Sequence, residues 1–201
     1  MTPQRKERIT KVLQNRQPDL TLIMENVHDP HNISAVMRTC DAVGIQELYV
    51  LNNQINTHKR FGKKSSASAA GWLTIHQFTN TVACVEAVRQ KYNKLYATHL
   101  GEQAVSLYQL NLTEPVALVF GNEHAGVTSE LLGHCDGNFI IPQVGMVQSL
   151  NISVACAVSL YEAFRQRHAQ GFYNGTSRLP QEQHKALSEK WGLYEGEALE
   201  W

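Results

Sequence analysis

Short apolar runs, each too brief to form a helix, alternate with amphipathic segments along the 201-residue chain. Such runs predict strands that are buried on both faces, and the segments between them predict the helices that cover those faces. The sequence therefore favours an α/β domain with a mainly parallel sheet flanked by helices. The predicted strands are 20–27, 46–52, 72–78, 94–100, 115–121 and 138–142.

Helical segments are predicted from apolar spacing and from capping residues. The first runs from Pro3 to about Gln17, with Thr2 as its N-cap. A second follows Asn32, which has the position of an N-cap, and further helices cover 79–92 and 128–135. A long helix over 149–170, with Ser149 as a candidate cap, completes the set. Its predicted apolar stripe is Leu150, Val154, Ala157, Val158, Tyr161 and Phe164.

Composition limits the class of protein. Hydrophobic residues make up 43% of the chain and charged residues 18%, which is typical of a globular domain and not of a disordered segment. The sequence contains no run of eighteen apolar residues, and its basic start lacks the apolar core of a signal peptide. Its four cysteines are far apart and form no CxxC pair. We therefore expect a cytoplasmic protein with reduced thiols and no membrane partner.

The formal net charge is zero, but the charges are unevenly distributed. Residues 181–201 contain two Lys and five Glu, which leaves residues 1–180 with an excess of basic groups. The basic residues lie in two clusters, one at Arg5, Lys6, Arg8, Lys11 and Arg16 and the other at Lys59, Arg60, Lys63 and Lys64. Either cluster alone is explained by solvated surface residues. The two clusters together are explained as well by a polyanionic partner as by a solvated surface.

Three strand ends lead into turns that are small, polar or rich in glycine, namely ATHLGE, FGNEHAG and IPQVGMVQSLN. In open parallel sheets, ligands bind outside the carboxyl ends of the strands. Turns with so little charge offer mainly backbone amides and carbonyls, which suit an adenosine-like ligand. The sequence lacks GxGxxG, GxxxxGK[ST] and GxSxG, and His28 and His31 have no partner at metal-ligand spacing. No metal site is predicted.

Three segments together resemble the three motifs of the SpoU/TrmH family of RNA ribose 2′-O-methyltransferases, in the SPOUT superfamily. They are HNISAVMRTCDAVG (31–44), FGNEHAGV (120–127) and IPQVGMVQSLNISVACAVSLYE (141–162). The resemblance implies a basic N-terminal helix (1–18), a methyltransferase domain with a C-terminal trefoil knot (19–171) and a C-terminal extension (172–201). It also implies a homodimer with S-adenosyl-L-methionine as cofactor. The implied cofactor-binding positions are Thr98, His99, Leu100, Gly121, Ile141, Ser149 and Leu150.

The resemblance also assigns catalytic roles. Arg38 corresponds to the motif-one arginine, which either accepts a proton or stays cationic and stabilises the alkoxide; the second role fits its high pKa better. Asn32 would support Arg38 and contact substrate, and Glu123 would hold either of them. Ser149 and Asn151 would line the junction of cofactor and ribose. The implied RNA-binding residues are Arg5, Arg8, Lys11, Lys59, Arg60, Lys63 and Lys64.

Within the family, the basic N-terminal helix resembles the branch that methylates guanosine at position 18 of the tRNA D-loop. The short acidic tail departs from that pattern. Two alternatives remain at this stage: methylation of ribosomal RNA or of the tRNA wobble nucleotide, and a non-catalytic RNA-binding protein with the same fold. A small-molecule nucleotide-binding protein is a third alternative, for which the basic clusters would be unnecessary.

Overall fold

The computed structural model describes residues 1–57, 69–101 and 103–193. The second basic cluster, with Lys59, Arg60, Lys63 and Lys64, lies outside the described residues, so its predicted contact with RNA stays a prediction. No helix in the described part of the chain is both long enough and apolar enough to cross a bilayer.

A single twisted sheet organises the described residues, and every strand pairing in it is parallel. The spatial order is β3-β2-β1-β6-β4-β7-β5. The predicted parallel sheet is therefore confirmed, and each of the six predicted strands has a counterpart. The strands are β1 Leu20–Glu25, β2 Glu47–Leu51, β3 Thr74–Phe78, β4 Lys94–Thr98, β5 Val105–Ser106, β6 Val116–Phe120 and β7 Gly137–Ile140.

Helices cover both faces of the sheet, and the five predicted from the sequence are all present in the structure. The helices are α1 Pro3–Gln14, α2 Pro30–Ala42, α3 Ala69–Trp72, α4 Thr81–Arg89, α5 Ser129–Leu132, α6 Ile152–Ala169 and α7 Gln181–Lys190, with a 3₁₀ turn at Leu107–Gln109. Alternate strand residues point to opposite faces. Thus Met24 and Leu118 pack in the same core cluster as residues of α2 and α6, whereas Ile23 and Val119 pack with residues of α4 and α5.

Two predicted helix caps are wrong. The cap of α2 is Asp29, whose side chain accepts a 2.8 Å hydrogen bond from the His31 amide, because Pro30 has the fixed φ that suits the first helical position. Asn32 lies inside the first turn instead. The cap of α6 is Asn151, which accepts a 2.9 Å bond from the Ser153 amide, so Ser149 does not cap that helix.

The predicted apolar stripe of α6 is only partly correct, because Val158 and Phe164 pack against the core whereas other members of the stripe are exposed. Val154 is 45% exposed and Tyr161 is 53% exposed, whereas Ile152, Cys156 and Leu160 are buried against α2 and the sheet. The helix carries apolar residues on opposite sides, so periodicity alone could not identify the buried side. The exposed apolar side of α6 remains uncovered in the single chain.

A small third cluster of buried residues joins the two ends of the described chain. Ile9 and Leu13 of α1 pack with Leu179, Leu187 and Trp191 from the segment that contains α7. The described part of the carboxyl-terminal extension, which ends at residue 193, is thus packed against α1.

Arg16 was grouped with the surface basic residues, and that prediction is wrong. Its side chain is fully buried and donates hydrogen bonds to Ile45 O (2.8 Å), Asp41 Oδ1 (2.8 Å) and Trp72 O (3.1 Å). Burial lowers the pKa of the Arg16 guanidinium, and the neighbouring Asp41 carboxylate acts in the opposite direction. Arg16 thus links the segment after α1 to Asp41 of α2 and to Trp72 of α3.

Candidate functional site

The three turns singled out in the sequence follow strands that are neighbours in the sheet. Strand β4 lies between β6 and β7, and all three run in the same direction. The turns after Thr98, Phe120 and Ile140 therefore leave the same carboxyl edge. The geometry brings the predicted cofactor-binding segments to one side of the molecule, although their ligand remains a prediction.

Gly121, the first residue after β6, allows an unusually close approach of two backbone segments. A Cβ atom at this position would lie 2.1 Å from the carbonyl carbon of Gly126 and 2.2 Å from the amide nitrogen of Val127. Real Cβ atoms do not come so close to backbone atoms, so the turn requires glycine here. Gly121 itself is buried, and the exposed residues of the turn are His124, Ala125 and Gly126.

Asn122 shapes this turn, and the sequence reading did not identify it. Its backbone exchanges hydrogen bonds of 2.9 and 3.0 Å with Gly126, and its side-chain oxygen accepts from the amides of His124 and Ala125. Its side-chain nitrogen donates to Asn26 O at 2.8 Å, which ties the turn to the end of β1. A residue that bonds its own backbone two and three positions on is a signal of such a turn.

Three polar side chains form a hydrogen-bonded chain from Glu123 in this turn, through Asn32 of α2, to Asn151 at the start of α6. Asn32 Nδ2 donates a 2.9 Å hydrogen bond to Glu123 Oε1, and Asn151 Nδ2 donates to Asn32 Oδ1 at 3.3 Å. The second carboxylate oxygen, Glu123 Oε2, is buried and has no hydrogen-bond partner in the structure. A buried carboxylate oxygen without a donor is costly, so it is an acceptor available to a ligand group.

The other residues predicted to bind the cofactor also lie around this edge, and they carry little charge. Thr98 Oγ1 donates to Val119 O (3.2 Å), and the His99 amide donates to Phe139 O (3.3 Å). Leu100 is 78% exposed. Ile141 and Leu150 are half-buried and Ser149 is exposed.

The loop between β7 and α6 is open to solvent in the single chain. Its apolar side chains Val144, Met146 and Val147 are among the most exposed hydrophobic residues of the described chain. The uncharged character noted in the sequence therefore belongs to an exposed surface, which is the setting expected for a binding loop.

Arg38 lies apart from the Asn32–Glu123 pair. It is exposed on α2, whereas Ile33, Ser34 and Met37 of the same helix are buried. Glu123 was predicted to hold Arg38 or Asn32, and the hydrogen bond that the structure records is with Asn32.

The structure places Arg38 beside two other predicted RNA-binding residues. It lines a cleft of about 560 Å³ between α1, α2, α3 and α7, together with Arg5 and Arg8. Lys11 is exposed on α1 and does not line this cleft.

Within the described residues, no three His, Cys, Asp or Glu side chains are grouped so that they could hold a metal ion. An open parallel sheet with small and polar turns at its carboxyl edge is the arrangement in which α/β proteins bind ligands outside the strand ends. The model of the SpoU rRNA Methylase family matches residues 19–161. The chain belongs to this SpoU methylase family.

Relatives of the whole chain carry a more specific name. The tRNA (guanosine(18)-2′-O)-methyltransferase of Escherichia coli K12 is 39% identical over 197 residues, which cover 98% of this chain and 83% of the relative. The protein of that name from Thermus thermophilus is 41% identical over 188 residues, covering 94% and 96%.

Solved structures agree with this comparison. The crystal structure described as the A. aeolicus TrmH/SpoU tRNA modifying enzyme superposes with a TM-score of 0.85 at 35% identity, covering 94% of each chain. The SpoU methyltransferase AviRb from Streptomyces viridochromogenes, solved in complex with the cofactor AdoMet, has a TM-score of 0.64 at 28% identity, covering 76% of this chain and 62% of that one.

Proposed function

We propose that this protein transfers a methyl group from S-adenosyl-L-methionine to the ribose 2′-hydroxyl of guanosine 18 in the tRNA D-loop. The observation that carries the proposal is the hydrogen-bonded series Glu123–Asn32–Asn151 at the carboxyl edge of the sheet, in a protein whose relatives over nearly the whole chain have that enzyme name. The tRNA relative from E. coli matches 98% of this chain, including α1 and α7. A relative named 23S rRNA (guanosine-2′-O-)-methyltransferase matches 79%.

The site fits the cofactor by its shape and its lack of charge. The turn after Gly121 is exposed at His124, Ala125 and Gly126, and Glu123 Oε2 is a buried acceptor without a donor among the described residues. Backbone groups at Leu100, Ile141 and Leu150 would hold the adenosine portion. When bound, the cofactor supplies a methyl group that is already activated on a sulfonium, so no metal is needed in the proposed reaction.

The protein's own residues then have two tasks, positioning the ribose and stabilising the oxygen that loses its proton. Asn32 and Asn151 present amide groups held in place by Glu123 and by each other, so they orient the hydroxyl with little rearrangement. Positioning of this kind supplies up to about 7–11 kcal/mol of a barrier reduction. Arg38 would stabilise the developing alkoxide by its positive charge, while the proton of the hydroxyl passes to solvent water.

Arg38 completes the site of a partner subunit in this proposal. Two observations support a homodimer: Arg38 has no bond to the Asn32–Glu123 pair of its own chain, and α6 has an exposed apolar side at Val154 and Tyr161. We further propose that the segment around α6 forms a trefoil knot, as family membership implies, and that the protein acts on tRNA in the cytoplasm.

The test is methylation of an unmodified tRNA transcript by the purified protein, followed by mapping of ribose methylation. We expect a single modified position at guanosine 18. A transcript with adenosine at that position and a ribosomal RNA fragment serve as controls. Methylation of the fragment in preference to the tRNA, or at another tRNA position, would contradict the proposal.

A further inference from the structure

The cleft that contains Arg38 has an aromatic side that the proposed reaction does not use. Trp72, at the end of α3, and Trp191, just after α7, both line it. Their rings meet edge to face with centroids 5.2 Å apart. Ile9 and Val12 of α1 complete an apolar floor beneath the arginine side chains.

The arginines around this floor are available to a ligand. Arg5, Arg8 and Arg38 are exposed, and no ion pair between described residues involves them. The cleft's single carboxylate among the described residues, Asp41, is paired with the buried Arg16 at 2.8 Å. The unpaired charge at the cleft is therefore positive, which complements a phosphate.

The two tryptophans of the aromatic side are held in place by the buried Arg16. Arg16 donates to Trp72 O at 3.1 Å, and its guanidinium lies 5.4 Å from the centroid of the Trp191 ring. Trp191 is 7% exposed, and its indole Nε1 is buried without a hydrogen-bond partner. A buried indole N–H normally finds an acceptor, and none of the described residues supplies one to Trp191.

We infer that this cleft binds one unstacked nucleotide of the substrate RNA, with its base against the Trp72 indole and its phosphate between Arg5 and Arg8. An aromatic face beside unpaired arginines is the arrangement by which proteins hold single-stranded nucleic acid. Trp72 is half-buried, so part of its ring can be reached from the cleft. The inference rests on the proposed function for the identity of the RNA, and it adds a base-binding residue and a role for the carboxyl-terminal segment.

Stacking and phosphate contacts have different signatures in binding experiments. Loss of a stacked base weakens binding by about 5- to 150-fold and leaves the salt dependence unchanged, because no counterion is released. Loss of a phosphate contact lowers the slope of log K against log salt by about 0.7 to 0.9. Trp72→Leu should therefore weaken tRNA binding at every salt concentration, whereas Arg5→Ala should weaken it and flatten the salt dependence.

The decisive test compares Trp72→Phe with Trp72→Leu in the full-length protein. Phenylalanine keeps an aromatic face and should retain most of the affinity for unmodified tRNA, whereas leucine should lose it. Transcripts with single abasic nucleotides in the D-loop provide the second arm. One abasic position should weaken binding by wild-type protein and have little further effect on Trp72→Leu. Tyr108→Ala, which removes an exposed aromatic residue outside the cleft, is the control.

Equal affinity of the leucine and phenylalanine variants would overturn the inference. So would an abasic scan in which no position depends on Trp72. If the leucine variant fails to fold, quenching of indole fluorescence by bound tRNA decides the matter, because the quenching should be smaller in Trp72→Phe than in wild type, and equal quenching overturns the inference. Methylation of guanosine 18 by the wild-type protein is measured separately, so failure here leaves the proposed reaction standing.

Discussion

Asn32 in the first turn of α2 and Glu123 in the turn after β6 are 91 positions apart in the chain and are joined by a 2.9 Å hydrogen bond from Nδ2 to Oε1. The bond fixes the direction of the Asn32 amide, whose oxygen is then available to Asn151. It also uses only one oxygen of the carboxylate. The polar groups at this edge are thus oriented before any substrate is present, which is what a site built for positioning requires.

Removing this bond should slow methyl transfer much more than it weakens cofactor binding. Hydrogen bonds to charged groups contribute about 1.5–3 kcal/mol, so we expect Asn32→Ala to lower kcat by roughly 10- to 150-fold. Asn111→Ala is a matched control, because Asn111 donates a similar 3.0 Å bond to Glu114 at an exposed place outside the site. Equal losses in the two variants would contradict the positioning role. The measurements are single-turnover methylation and calorimetric binding of the cofactor.

Arg38→Ala should abolish methyl transfer while leaving cofactor affinity within about twofold, because the residue is proposed to act on the ribose oxygen and not on the cofactor. Arg38→Lys separates the two chemical roles. Lysine titrates near ~10.4, so if the positive charge is what matters, residual activity should fall as the pH passes that value. A rise in activity over the same interval would favour a proton acceptor instead. Lys94→Ala, at the opposite edge of the sheet, is the control.

Gly121→Ala should damage the site directly, because the added Cβ would meet backbone atoms at 2.1–2.2 Å. We expect the free energy of unfolding to fall by about 1–3 kcal/mol and cofactor affinity to fall by at least tenfold. Gly133→Ala is the control, since its Cβ would have neighbours no closer than 3.4 Å and its φ of −61° suits alanine. Chemical denaturation and calorimetry provide the two readouts, and unchanged cofactor binding in Gly121→Ala would remove this turn from the predicted pocket.

Glu47 predicts a pH dependence of stability. Burial acts to raise its pKa, but His76 and Lys91 more than offset that effect, and the pKa falls from 4.5 to about 2. A carboxylate with a depressed pKa stabilises the fold above its unfolded pKa, and that stability is lost as the pH falls from about 4.5 towards 2. Glu47→Gln should therefore lower the free energy of unfolding near neutral pH by about 1–3 kcal/mol and make acid denaturation shallower. The exposed Glu86→Gln should change neither quantity, and a Glu47→Gln profile parallel to wild type would refute the assignment.

The exposed side of α6 should hold two subunits together. Tyr161 is 53% exposed and lies on the same helix as Val154, which is 45% exposed. Tyr161→Glu would bury a charge at the proposed interface, so we expect the dimer to dissociate and methyl transfer to fall with it. Val82→Glu, a residue 46% exposed on α4, is the matched control. Sedimentation velocity reports the assembly state, and an intact dimer for Tyr161→Glu would exclude this surface.

Hydrophobic periodicity predicted the positions of the strands well, but it predicted the burial of individual side chains poorly. Runs such as 115–121 are apolar without interruption, so their burial follows from composition alone. Strand β5 has two residues and thus no pattern to detect. Arg16 belonged to a basic run, and nothing local shows that Ile45, Asp41 and Trp72 come together to bury it.

The residues of the polar site could be predicted from the sequence, but the hydrogen bonds between them could not. Asn32 has the residue type of a cap, and Asp29 is preferred because Pro30 fixes the backbone at the start of α2. The bond between Asn32 and Glu123 depends on the adjacency of β1 and β6, which is a property of strand order. Asn122 was missed because its role is to shape a turn, and residues of that kind carry no chemical signature of catalysis.

The small core shared by α1 and α7 has a practical consequence for anyone handling this protein. Because Ile9 and Leu13 pack on Leu187 and Trp191, the two ends of the chain behave as one cooperative unit. Shortening the chain so that Leu187 and Trp191 are lost would uncover Ile9 and Leu13 and loosen the arginine-bearing helix at the amino terminus, although nearly the entire chain separates the two segments.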